Sequence, residues 1–196
     1  MRQSSKSDQW QRHTPANPVQ DWFGAAFHHL HPLLQALHQR GGALRGTVHI
    51  TMARGFTGFL ARWLARKLGL PPEPGTHGFE VLITHQNGCL HWQRCFDQRT
   101  PMLSIFKPVG TFPDGYWEEQ TGAVRLRLQV DMPDGGWHWR CQSLRFQGWP
   151  LPLWLFPQSQ AYKQIEEGRY RFYVGFSLPL LGTILSYSGL LELALA

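Results

Sequence analysis

Charged side chains are scarce in this chain. Asp, Glu, Lys and Arg together make up 16% of its 196 residues, against the roughly 25% usual for soluble domains. That shortfall argues against long, charged helices, and Gly, Pro, Gln and His, residues of turns and strands, take up the room. Cysteine is nearly absent. Cys89, Cys95 and Cys141 are odd in number and form no Cys-x-x-Cys pair. A disulfide framework or thiolate zinc site is therefore not expected, and the three read as reduced thiols of a cytoplasmic protein. Long apolar runs are missing too. Leu178–Ala196 comes nearest, but Pro179, Gly182, Gly189 and Glu192 interrupt it, and alternation describes it better than a spanning helix. Residues 1–20 hold no apolar stretch of the kind a cleaved leader needs. No Gly-x-Gly-x-x-Gly follows a strand and no Gly-x-Ser-x-Gly elbow occurs, so Rossmann-type cofactor binding and serine hydrolysis have no motif. Internal repeats and low-complexity tracts are lacking as well.

Aromatic residues, by contrast, are plentiful: 9 Trp, 12 Phe and 5 Tyr. Flat rings pack well on a pleated surface, which points to a β-rich interior or an aromatic-lined cavity. The formal charge is +6, but it is scattered. Its densest cluster, Arg54, Arg62, Arg66 and Lys67, reads as one solvated helix face rather than a nucleic-acid footprint.

Along the chain, residues 1–20 read as a flexible tail and residues 21–196 as a single β-rich domain. A helix is expected from Asp21, with Phe23, Phe27, Leu30 and Leu34 on one face, broken at Pro32 and stopped by Gly41-Gly42. Leu44–Met52 alternates as a half-buried strand. Phe56, Phe59, Leu60, Trp63, Leu64 and Leu68 then recur at helical spacing opposite Arg62, Arg66 and Lys67, which predicts a helix with that apolar stripe facing the core. From Phe79 onward the pattern is β. Phe79–Thr84 and Leu90–Phe96 flank Asn87-Gly88, the strongest short hairpin signal. Met102–Lys107, Gly115–Gln120, Ala123–Asp131, Trp137–Gln147, Arg169–Leu178 and Thr183–Leu193 follow as strands, whereas Pro-punctuated Gly148–Gln158 cannot be a central one. Short connections favour antiparallel pairing. The expected fold is α+β: a mainly antiparallel, strongly curved sheet or partial β-barrel with two helices from the N-terminal half packed on it.

Several blocks then fall in a recognisable order: Leu30-His31-Pro32 to His38, Arg54-Gly55, Leu68-Gly69-Leu70-Pro71-Pro72, and Trp92-x-Arg94-x-Phe96. Glu119-x-x-Gly122, Gly148-x-Pro150-Leu151-Pro152, and Pro179-x-x-Gly182 leading to Tyr187-x-Gly189-x-Leu191 complete the series. In this order and spacing, over residues 22–193, the chain resembles the bacterial domain-of-unknown-function family 4166. The resemblance implies no activity. It implies domains that occur alone or behind a Rossmann-type oxidoreductase domain, which would make an oxidoreductase one candidate partner.

Arg94 is the most informative single residue. On an alternating strand it shares a face with Leu90, Trp92 and Phe96, where a guanidinium must find a carboxylate or several carbonyls. Glu119 is the partner named from sequence, either as a structural pair pinning strand register or as part of an anchor for a ligand head group. With Trp92, Trp137, Trp139 and Tyr187, the pair makes up the expected ligand-binding set. His28, His29, His31 and His38 have no carboxylate or Cys nearby, and Pro32 spoils the spacing, so no metal is expected. His38 reads instead as a cation at a helix end. Cys89 or Cys95 with His85 or His91 makes a poor nucleophile–base pair, and the adjacent carboxylates Glu118-Glu119 and Glu166-Glu167 point to opposite strand faces. The apolar loop Trp149–Phe156 is expected to pack on the domain's own core or act as a lid, in preference to meeting a membrane.

Two function classes remain from the sequence. The first is a non-catalytic binding module holding an apolar or amphipathic small ligand in a hydrophobic cavity of the curved sheet. The second is an enzyme or accessory domain acting with an oxidoreductase through an Arg94/Glu119 site. No cofactor is expected in either.

Overall fold

The computed structural model describes residues 17–99, 101–152 and 158–195. Eleven strands run through it: β1 (Gly42–Met52), β2 (Gly75–Gln86), β3 (Cys89–Phe96), β4 (Met102–Val109), β5 (Tyr116–Thr121), β6 (Val124–Asp131), β7 (Trp137–Phe146), β8 (Trp149–Leu151), β9 (Gln158–Glu166), β10 (Arg169–Leu178) and β11 (Gly182–Leu195). All pair antiparallel. The order is β6-β5-β4-β3-β2-β1-β11-β10-β9-β7, and β6 pairs in turn with β7, which closes ten strands into a barrel. The curved antiparallel sheet expected from sequence is thus a complete one, with no open edge in the ring. Short connections between successive strands make such a meander possible, and the hairpins carry it locally. Asn87 and Gly88 both take positive φ, 52° and 69°, as a two-residue hairpin turn requires. The three-residue β8 hangs on the outer part of β7 and is the only regular piece of the Pro-punctuated segment among the described residues.

Antiparallel closure sorts the loops into two ends. One end gathers the β2–β3, β4–β5, β6–β7 and β9–β10 turns and is plugged by the N-terminal helices α1 (Pro18–Phe23) and α2 (Pro32–Arg40), with a 3₁₀ stretch Gly24–His29 between them. Asn17 organises the plug. Its Oδ1 accepts from the Val19 and Gln20 amides, both at 3.0 Å, an N-cap in the usual sense. Its Nδ2 donates to the His38 and Gln39 carbonyls, also at 3.0 Å, tying the start of α1 to the end of α2. Residues 17–20, assigned from composition to the tail, therefore belong to this plug, and Val19 is fully buried. Residues 1–16 lie outside the described residues. Phe23, Phe27, Leu30 and Leu34 are all buried, as their spacing predicts, but on three short elements rather than one helix. His31 is the reason: extended before Pro32, its Nδ1 accepts from the Leu33 amide and caps α2.

The other end holds α3 (Gly55–Lys67), between β1 and β2, together with the β3–β4, β5–β6, β7–β8 and β10–β11 turns. The orientation expected for α3 holds for Leu60, Leu64 and Leu68 and fails for the three aromatics. Its buried residues are Gly58, Ala61 and Ala65, while Phe56, Phe59 and Trp63 point outward. A Cβ at Gly58 would stand 2.5 Å from the carbonyl oxygen of Ala53, in the segment that enters the helix, and Leu60, Leu64 and Leu68 pack half-buried against the core beside the small residues. No helix among the described residues is long and apolar enough to cross a membrane.

Candidate functional site

β3 presents Leu90, Trp92, Arg94 and Phe96 to the barrel interior, because alternate residues of a strand share a face. Arg94 is thereby carried inside, and the neighbouring strands supply what a buried guanidinium needs. Its Nη2 donates to Glu119 Oε1 on β5 at 3.1 Å and to Ser104 Oγ on β4, and its Nη1 donates to Tyr187 Oη on β11 at 3.2 Å. Thr121 bonds Ser104 and also donates to Glu119 Oε1 at 3.0 Å. The Arg94–Glu119 pair named from sequence is formed, with about an eighth of each side chain exposed. Charges at this depth are stable only when paired and hydrogen-bonded, and this pair is both.

Beside the network, the barrel encloses a cavity of about 250 Å³. Its wall is aromatic and aliphatic: Trp92, Phe106, Leu128, Trp139, Phe172 and Val174 represent it, and Arg94, Glu119, Tyr170 and Tyr187 form its polar side. The lining continues through Leu64, Trp63 and Lys67 of α3 and through Phe146. Lys67 and Phe146 are exposed, so the cavity reaches the surface at the α3 end. Three buried polar atoms on its lining residues find no hydrogen-bond partner among the described residues: Arg94 Nε, Trp92 Nε1 and Tyr170 Oη. The first two are donors only, and a phenol donates as readily as it accepts. Burial raises the Tyr170 phenol's pKa, so it keeps its proton to donate.

Of the six site residues read from sequence, Arg94, Glu119, Trp92, Trp139 and Tyr187 meet around this cavity. Trp137 does not. It is fully buried beneath it, its ring edge-on to Phe23 of the plug and tilted against His38. His38 is not the helix-end cation expected. It is completely buried, its ring stacks on Trp92, and its Nε2 lies 3.0 Å from Lys163 Nζ. Burial first, and the neighbouring Lys163 second, hold its pKa well below the usual histidine range.

Lys163 itself was missed, along with the strand that carries it. β9 turns Ala161, Lys163 and Ile165 inward, and Lys163 is 1% exposed. Its stem lines the cavity, while its amine reaches toward the plug, 3.5 Å from the centre of the Trp137 ring and 4.6 Å from that of Trp92. Ring faces offer a cation roughly 2 kcal/mol when desolvated; stripping an ammonium of water costs several. Burial therefore wins, and the amine's pKa is held well below the ordinary lysine range.

The remaining candidate chemistry is not assembled. Cys95 donates its thiol to the Arg99 carbonyl at 3.0 Å. Cys141 lines the cavity with its pKa pushed up to about 11 by burial and then by Glu119, the opposite of an activated nucleophile. No group of three or more potential metal ligands occurs among the described residues.

Fold and site together define a class: a closed antiparallel β-barrel, plugged by helices at one end, with a cavity that among the described residues reaches the surface at the other and a buried ion pair on its wall. Residues 30–191 match the family model described as "Domain of unknown function (DUF4166)", and the chain belongs to that family. No curated protein and no solved structure matches it.

Proposed function

We propose that the protein is a non-catalytic binding module that holds an apolar or amphipathic small ligand in the hydrophobic cavity of its barrel, with the polar end of the ligand at Arg94. The observation that carries this reading is the presence, among the residues lining one largely apolar cavity, of three donors without partners among the described residues. An unmade buried hydrogen bond costs about 1–3 kcal/mol, so a ligand that completes these bonds is favoured beyond its apolar contacts. The chemistry asks for an acceptor: a hydroxyl, carbonyl or ether oxygen. A carboxylate is disfavoured because Glu119 already neutralises Arg94 and would repel a second negative charge. Size narrows the class further. About 250 Å³ exceeds the roughly 150 Å³ that accepts benzene and falls just under the roughly 300–1,000 Å³ of sites for drug-sized molecules. Medium-chain alcohols and ketones fit both limits.

Arg94 and Glu119 satisfy one another rather than facing a reacting centre, which favours binding over acid–base chemistry at this pair. Three free thiols support a cytoplasmic setting. Titration with decanol, followed by tryptophan fluorescence, tests the reading. Saturable quenching is expected in the native protein and should vanish in Leu128→Trp, whose indole fills the cavity. Non-saturable quenching, or equal binding in a folded Leu128→Trp, would overturn it.

A further inference from the structure

α3 packs Leu60, Leu64 and Leu68 on the core but turns its three aromatics outward. Its small residues, Gly58, Ala61 and Ala65, face the body, whereas Phe56 is 85% exposed, Phe59 67% and Trp63 44%. Spacings of three and four place these aromatics along one outward stripe. Two turns add to it at the same end. The β10–β11 turn exposes Leu180 and Leu181, with Leu180 in the left-handed region at φ 65°, and the start of β8 exposes Trp149. A leucine avoids that conformation unless something holds it there. The pairing of Met52 with Leu185 brings the β10–β11 turn beside the start of α3.

Charge follows the same polarity. Arg54, Arg62, Arg66 and Lys67 are all exposed on or at the start of α3, and no Asp or Glu occurs between residues 53 and 72. Asp97, in the β3–β4 turn, is engaged by His77 Nδ1 at 2.7 Å and the Gly78 amide at 2.8 Å. Exposed Glu73 follows α3; the plugged end carries Asp21, Asp114 and Asp134, and Glu166 and Glu167, which pair with Arg171 and Arg169.

We propose that the α3 end of the barrel docks on an anionic lipid bilayer. Phe56 and Phe59 enter the interfacial region, Arg62 and Arg66 lie on the headgroups, and the plugged end faces away. An apolar stripe flanked by Arg and Lys is the chemistry that an anionic interface binds. Trp63 and Lys67 belong both to this surface and to the cavity lining, so docking sets the cavity mouth against the bilayer. The docking rests on the exposed surface alone and stands whether or not the cavity holds a ligand.

Cosedimentation of the full chain with phosphatidylcholine vesicles, with and without phosphatidylglycerol, tests it. Binding is expected only with phosphatidylglycerol and should weaken as salt is raised. Phe56→Ser/Phe59→Ser should weaken it roughly ten-fold or more, and Arg62→Gln/Arg66→Gln about five-fold per charge removed. Both variants should keep the native unfolding temperature and decanol binding, because neither alters a buried or cavity-lining residue. Absence of binding to phosphatidylglycerol vesicles, or binding indifferent to both variants, would overturn the proposal. So would sedimentation velocity showing a dimer that Phe56→Ser/Phe59→Ser disperses, since the stripe would then be covered by a second copy.

Discussion

Lys163 Nζ and His38 Nε2 face each other at 3.0 Å between the barrel wall and its helical plug. Two nitrogen bases share one buried space, ringed by Trp92, Trp137 and Trp139. No carboxylate among the described residues pairs with either. Two positive charges cannot coexist there, and even one is disfavoured.

The pH dependence of stability follows from this pair. Both folded pKa values lie below their unfolded values, 6.5 for His38 and 10.5 for Lys163. The unfolded chain therefore binds more protons, and stability rises with pH until the free lysine value is reached. As pH falls below about 10, Lys163 should cost stability at up to about 1.4 kcal/mol per pH unit; below about pH 6.5, His38 steepens the loss. Lys163→Met should remove the alkaline slope and stabilise the protein by about 2 kcal/mol or more near pH 7. Denaturant unfolding of both proteins at several pH values measures it. A flat profile in the native protein would show that Lys163 stays charged.

The Arg94–Glu119 pair should behave as a unit. Arg94→Met or Glu119→Leu alone strands a buried charge and should cost about 3–5 kcal/mol. The double variant should recover most of that loss, a coupling that a double-mutant cycle by urea unfolding reads directly. Additive losses would mean that the two side chains do not depend on each other.

Tyr170→Phe separates binding from folding. The phenol has no partner among the described residues, so removing its oxygen should leave the unfolding temperature unchanged or slightly raised. Decanol affinity should fall about five- to ten-fold, the worth of one hydrogen bond of about 1–1.5 kcal/mol. A stability loss without an affinity loss would assign the hydroxyl to the fold.

Much of this was legible in the sequence, and the exceptions have physical causes. Alternation located β1 and the β2–β3 hairpin, and the misplaced charge of Arg94 identified both itself and Glu119. β9 was hidden because its inward set is Ala161, Lys163 and Ile165: a lysine stands where alternation asks for an apolar residue, and the strand reads as polar throughout. The feature that conceals the strand is therefore also the unusual residue of the interior. α3 misled for the converse reason. Periodicity identifies an apolar stripe but not its centre: the helix turns Gly58, Ala61 and Ala65 to the body, with Leu60, Leu64 and Leu68 half-buried beside them and Phe56 and Phe59 left exposed. Trp137 and Trp139 are two apart on β7 and share a face, yet one meets the cavity and the other the plug, a division set by distance along the strand.

Native mass spectrometry of the protein purified from cells without detergent tests the central claim most directly, with the cavity-filling Leu128→Trp as its partner. The cavity reading predicts a native protein that carries a dissociable small neutral molecule, or takes up added decanol to one equivalent, while folded Leu128→Trp does neither. A bare mass in both proteins, with no saturable uptake of decanol, would contradict it.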